Sequence, residues 1–214
     1  MRRSILKEGQ SYTFSEYFKL AVDPEDLLRE FGFGLGKAQL ALTSFAGEMD
    51  WRSLQSQIEE NLTYVDLTSE TARREILVAP LLLRICRIAQ AKLKIEYPIQ
   101  VSDRLKGNLD YYLQSQQGDK ANVLVIEAKQ ADLTRGFTQL AVELIALDQW
   151  TESEAPVLWG AVTTGDIWKF GILDRHQKCI TQDLNLYRVP ADLEALMQIL
   201  IAVLAGRAAI GAAS

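Results

Sequence analysis

Residues 121–129 read Ala-Asn-Val-Leu-Val-Ile-Glu-Ala-Lys. Side chains alternate between the two faces of an extended strand. Val123, Val125, Glu127 and Lys129 therefore share one face, and Leu124, Ile126 and Ala128 the other. The apolar run at 123–126 predicts a strand buried on both faces, inside a sheet that helices cover on each side. This strand ends in a carboxylate and an ammonium on the same face. Burying either charge alone is costly. A sequence tolerates the pair where the strand end opens into a cleft, or where a cation neutralises the carboxylate.

The flanking segments extend the sheet. Residues 95–101 and 107–113 read as two strands joined by a turn at 103–107. Asp110 points to the same face as Asn108 and Tyr112, so hairpin-like pairing brings it toward Glu127. Two carboxylates held close repel each other unless a divalent cation lies between them. After the charged strand end, Leu133, Phe137, Leu140, Leu144 and Leu147 form one apolar stripe and predict a helix over 133–150. Residues 157–162 and 167–173 read as strands joined by a turn at 163–166 that contains Gly165. A further strand is expected within 179–187, and a closing helix over 191–205 follows Pro190. Upstream, 69–91 reads as a long helix that Pro80 kinks or interrupts. The order of elements predicts an α/β (α+β) fold with one central mixed sheet flanked by helices.

Residues 1–67 read as an N-terminal accessory helical region, and 68–214 as the main domain. Short helices are predicted at 14–19 and 24–30, the second capped by Asp23 before Pro24. The FGFGLG stretch at 31–36 lacks the strand–loop–helix context and lysine ending of a phosphate loop, and reads as a turn. A short strand is expected at 39–42 and a helix at 49–61. The Ala/Gly-rich tail 206–214 reads as a frayed end.

Composition narrows the function. The 214 residues carry 23 Lys and Arg against 28 Asp and Glu, a formal net charge of −5. A tight non-specific nucleic-acid coat needs the opposite balance. An enzyme with acidic metal ligands and a local basic rim does not. Cys86 and Cys179 form no CxxC pair and read as buried thiols. His176 is the only histidine, which argues against histidine-based zinc or serine-hydrolase chemistry and reads as a loop residue. The first residues carry no apolar leader, and the most apolar stretch, 195–206, is too short to span a bilayer. A cytoplasmic protein with no membrane partner is expected.

Asp110, followed on the next strand by Glu127-Ala128-Lys129, resembles the D…(D/E)xK signature of the PD-(D/E)XK nuclease superfamily. Upstream, Ser69-Glu70-Thr71-Ala72-Arg73-Arg74 and Pro80-Leu81-Leu82 look like the first helix of the N-terminal nuclease domains of type I restriction enzyme motor subunits. Gln139 is similar to the Gln of that family's Q-x-x-x-Y, but Glu143 stands where the family has Tyr. Val162–Phe170 resembles its later hairpin. The likeness spans roughly 68–173.

The resemblance implies a restriction-endonuclease-like core and Mg²⁺ or Mn²⁺ held by Asp110, Glu127 and the Ala128 carbonyl. It implies DNA as the partner, Lys129 acting on a water and on developing phosphate charge, Glu70 approaching from the first helix with Glu75 as its rival, and Gln139 facing the site beside Arg135 and Glu143. Read without the resemblance, Glu127–Lys129 is a plain ion pair at a strand end, and Glu70–Arg74 an i,i+4 pair near a helix start. Two classes follow: a metal-dependent nuclease for restriction or repair, or a non-cleaving relative that binds nucleic acid or a protein partner. The apolar face 196–204 serves either the core or a homodimer.

Overall fold

The structure, a computed structural model, describes residues 5–45, 47, 49–117, 120–129, 131–208 and 210–211. The chain begins with α1 (Phe14–Lys19), α2 (Pro24–Arg29), β1 (Gly34–Ala38), β2 (Ala41–Leu42) and α3 (Arg52–Asn61). There follow α4 (Glu70–Arg73), a π-helical turn (Arg74–Val78) and α5 (Ala79–Ala89). Next come β3 (Lys92–Ser102), β4 (Leu105–Gln117), β5 (Lys120–Ala128) and α6 (Leu133–Trp150). The chain continues through β6 (Val157–Thr163), β7 (Ile167–Asp174), β8 (Cys179–Asp183), β9 (Tyr187–Arg188), α7 (Leu193–Leu204) and β10 (Ile210–Gly211).

Eight of the described strands form one mixed sheet in the order β1-β8-β7-β6-β5-β4-β3, with β9 pairing β7. β5 and β6 run parallel, with α6 as the crossover between them. The predicted alternation of β5 holds. Val123 and Val125 pack with α1, α2 and α6 on one side, and Leu124, Ile126 and Ala128 pack with α3, α5 and α7 on the other. The α/β class with a helix-flanked mixed sheet follows. No helix among the described residues is long and apolar enough to cross a membrane.

Several local expectations are corrected. The 31–36 stretch was expected as a turn, yet its last residues open β1, which pairs in parallel with β8 at the sheet edge (Gly34 opposite Cys179). The long helix at 69–91 is three pieces. Pro80 has no N–H to give the preceding turn, and the break upstream of it is a π turn in which Ala79 N–H reaches the Arg74 carbonyl. The expected strand at 179–187 is split into β8 and β9. The turn between β3 and β4 is shorter than expected, only Asp103 and Arg104 separating the strand ends. Part of the tail 206–214 lies outside the described residues, but Ile210 and Gly211 pair with β2. The 196–204 face of α7 is buried in this chain's own core. The two thiols are half-buried and free, and burial pushes the Cys86 thiol up.

The N-terminal 67 residues do more than add helices. α1 and α2 cover the α6 side of the sheet, α3 covers the opposite side, and β1 forms one edge. Tyr17 is buried and donates its hydroxyl to the Arg104 carbonyl at 2.6 Å, which ties α1 to the β3–β4 turn.

A cleft with a charged floor at the end of β5

Tyr112 lies opposite Val125 in the β4–β5 ladder, so the next same-face positions are Asp110 and Glu127. The registered pairing stops at Tyr111 and Ile126. Beyond it, the Ala128 N–H donates to Asp110 Oδ2 at 2.9 Å. The strands thus part where the two carboxylates sit. Lys129 lies just past β5, fixed by its N–H to the Thr163 carbonyl on β6 at 2.8 Å.

The opening is a cavity of about 470 Å³ whose lining includes Glu70, Arg74, Asp110, Glu127, Lys129 and Gln139. A second cavity of about 450 Å³ adjoins it and shares Ser15, Glu70, Lys129 and Gln139. All five side chains expected at the site therefore face one cleft. Glu75 does not: it lines a separate cavity with Arg84 and Arg87. Among the helical acids, Glu70 is the one beside the cluster. It is the first residue of α4, and the Ser69 hydroxyl caps that helix by accepting from the Ala72 N–H at 3.0 Å.

Glu127 is fully buried and ion-paired through Oε1 with Lys129. Its carboxyl also meets that of Glu143 on α6, and with both deprotonated its Oε2 has no donor among the described residues. Burial raises its pKa well above the ordinary carboxylate range, and the charges of Glu143 and Asp110 add to that; Lys129 opposes them. Asp110 is also raised, because desolvation outweighs the Ala128 N–H and the Lys129 and Arg74 charges. For Lys129, burial works against the ammonium, but the Glu127 and Asp110 charges outweigh it and hold the pKa above the usual value.

Arg74 and Glu143 complete the cluster, and neither was singled out as a site residue. The alternative reading made Arg74 an i,i+4 partner of Glu70. The π turn instead aims it at β3 and β4. Its guanidinium donates to Glu96 at 2.7 Å and to the Tyr111 hydroxyl at 3.2 Å, and lies 3.7 Å from Asp110 Oδ1. Neighbouring Arg73 holds the β6–β7 turn, donating to the Thr164 carbonyl at 3.0 Å and to Asp166 at 2.9 Å.

Glu143 is fully buried and accepts from Gln139 Nε2 at 2.9 Å. Gln139 turns its amide nitrogen to Glu143. Its carbonyl Oε1 is left buried with no donor among the described residues. Burial pushes Glu143 up to about 7, with the Asp110 charge adding to the rise and the Gln139 hydrogen bond opposing it. The sequence signal for Glu143 was its place four residues after Gln139, in the middle of an apolar stretch.

No group of three or more His, Cys, Asp or Glu side chains among the described residues is arranged to hold a metal ion. The set implied by the resemblance is smaller: Asp110, Glu127 and the backbone of Ala128. Its chemistry fits a hard cation. A fully buried carboxylate stands there with the like charges of Glu143 and Asp110 beside it. Compared with family models, curated proteins and solved structures, the chain matches none.

Proposed function

We propose that this chain is a metal-dependent nuclease of the PD-(D/E)XK type, with a restriction-endonuclease-like core, that hydrolyses phosphodiester bonds of DNA in restriction or repair. One observation carries the reading: the buried Glu127 carboxylate lies beside Asp110 at the floor of an open cleft, with Lys129 at the same point. A plain ion pair has no need of a second carboxylate or of an opening to solvent.

Asp110, Glu127 and the Ala128 carbonyl would hold Mg²⁺ or Mn²⁺. When bound, the cation would acidify a water and polarise the phosphodiester. Arg74 and the Ala128 N–H keep Asp110 in place from the other side. Lys129, held by Glu127, presents its ammonium to the cleft, where it orients the attacking water and stabilises charge developing on the phosphate. Gln139 offers Oε1 as an acceptor for a water or a substrate hydrogen. Glu70 borders the same space and would accept from a water there.

Calorimetric titration with Mn²⁺ tests the site. The wild type should bind and Asp110→Ala should lose at least tenfold in affinity. Plasmid, linear and single-stranded DNA, each incubated with Mn²⁺, then test cleavage. A wild type that binds no divalent cation sinks the proposal. Metal binding with no cleavage of any DNA would favour the non-cleaving binding module, the reading that the net charge of −5 does nothing to exclude.

A further inference from the structure

One wall of the cleft comes from a part of the chain that the family resemblance does not cover. α1 has two faces. Phe14 and Tyr17 are buried, and Phe14 packs so close to Gly107 on β4 that a Cβ there would lie 2.9 Å from its ring. Tyr17 is tied to the Arg104 carbonyl, and Tyr12, just before the helix, donates its N–H to the Asp103 carbonyl at 2.8 Å. Ser15, Phe18 and Lys19, at i, i+3 and i+4, share a helix face. All three line the cleft, facing Glu70, Lys129, Arg135 and Gln139. Phe18 lies in the wall with the Lys129 ammonium 5.2 Å from its ring.

Glu96, Asp110, Glu127 and Arg74 line one end of the cleft, and Lys19 and Arg135 line the other together with Asp132, which lies 3.4 Å from Arg135; Glu70 and Lys129 border both ends. The reacting groups are recessed: Glu127 is fully buried, and the Asp110 and Lys129 side chains are 14% and 13% exposed. Cavities of about 450 and 470 Å³ form the open cleft above them, with Ser15, Phe18 and Lys19 of α1 in its lining. An aromatic side chain beside a line of cations is the arrangement by which proteins hold single strands without reading sequence.

Resting on the nuclease reading, we propose that α1 is a strand-selecting wall: the cleft takes a single DNA strand, with Phe18 stacking a base and Lys19 and Arg135 gripping phosphates next to the scissile one. On this proposal a duplex would reach the recessed floor less readily than a single strand, because α1 is anchored beside it through Phe14 and Tyr17.

Fluorescence anisotropy of a labelled single-stranded 12-mer and of a blunt duplex of the same sequence, with the full chain in Ca²⁺, provides the test. The single strand should bind at least tenfold tighter. Phe18→Ala should weaken it about tenfold, the loss of one stacked base. Lys19→Ala, at an exposed position whose removal threatens no packing, should weaken it several-fold and make the salt dependence shallower. Equal affinity for duplex, no measurable DNA binding, or wild-type binding by both variants overturns the proposal. The two readings fail separately. A chain that binds no Mn²⁺ but prefers single strands loses the nuclease reading and keeps the strand-selecting wall. A chain that binds Mn²⁺ and cleaves duplex as readily as single strands keeps the first and loses the second.

Discussion

Glu143 sits four residues after Gln139 on α6, where the family pattern has a tyrosine. A tyrosine there would offer a hydroxyl; the glutamate instead accepts from the Gln139 amide nitrogen. Burial, with the Asp110 charge added, holds a proton on this carboxyl up to about pH 7, whereas an unfolded glutamate titrates near 4.5. The folded pKa is raised, so the stabilisation is complete below the unfolded value and is lost as pH rises through about 7. The metal-free protein should therefore melt several degrees lower at about pH 8.5 than at about pH 6. Glu143→Gln, neutral throughout, should flatten that slope. Thermal melts of both proteins across the range check it, and an unchanged slope in the variant would place the proton elsewhere. At this scale the sequence was informative where the pattern is local. The alternation in 121–129 put Glu127 and Lys129 on one face without any knowledge of the tertiary structure. Glu143 was not readable in the same way. The stripe at 133, 137, 140, 144 and 147 suggests a helix with one wet side, but α6 is buried at every residue from Gly136 to Leu147.

At the scale of the element, α6 packs against the sheet near Gly136. A Cβ at this position would lie 2.7 Å from Val162 Cγ2 and 3.0 Å from Lys129 Cγ. The helix and the Lys129 stem are in contact because residue 136 has no side chain. Gly136→Ala gains helix propensity of about 1 kcal/mol and incurs an overpacking cost of about 1–3 kcal/mol. The balance should be destabilising, by about 1 kcal/mol. Urea denaturation measures it, and a stabilised variant would mean that Lys129 and Val162 move aside freely. The π turn is the element hardest to foresee. Its one-residue bulge leaves the composition of a helical run intact, yet it decides that Arg74 meets Asp110 and Glu96. Pro80 signalled a break in the helix, but not which way the chain upstream would rotate.

At the scale of the molecule, the sheet is one unit from β1 to β3, and both of its faces need residues from the first 67. A fragment beginning at Thr68 would expose the α6 side where Phe14, Tyr17, Leu27 and Leu28 pack, and would leave β8 without its outer neighbour. It should lose cooperative unfolding and bind a hydrophobic dye; near-UV circular dichroism and dye fluorescence against the full chain decide this. A fragment that melts as sharply as the whole would establish 68–214 as an independent domain. The sequence shows a change of pattern near residue 67, since the periodic segments begin there, but the sheet runs on across that point. The seating of α1 and β1 was not visible, because their partners lie far along the chain and no short window contains both.

The pairing of β1 with β8 also bears on how the chain is made. β1 leaves the ribosome long before the strand it lies against, since every other strand of the sheet's path lies between them in the chain or beyond. Until β8 follows, the β1 backbone N–H and C=O groups on that side have no sheet to join, and closure of this edge must wait for it. Such distant pairings slow folding and keep apolar surface open to unwanted partners during synthesis.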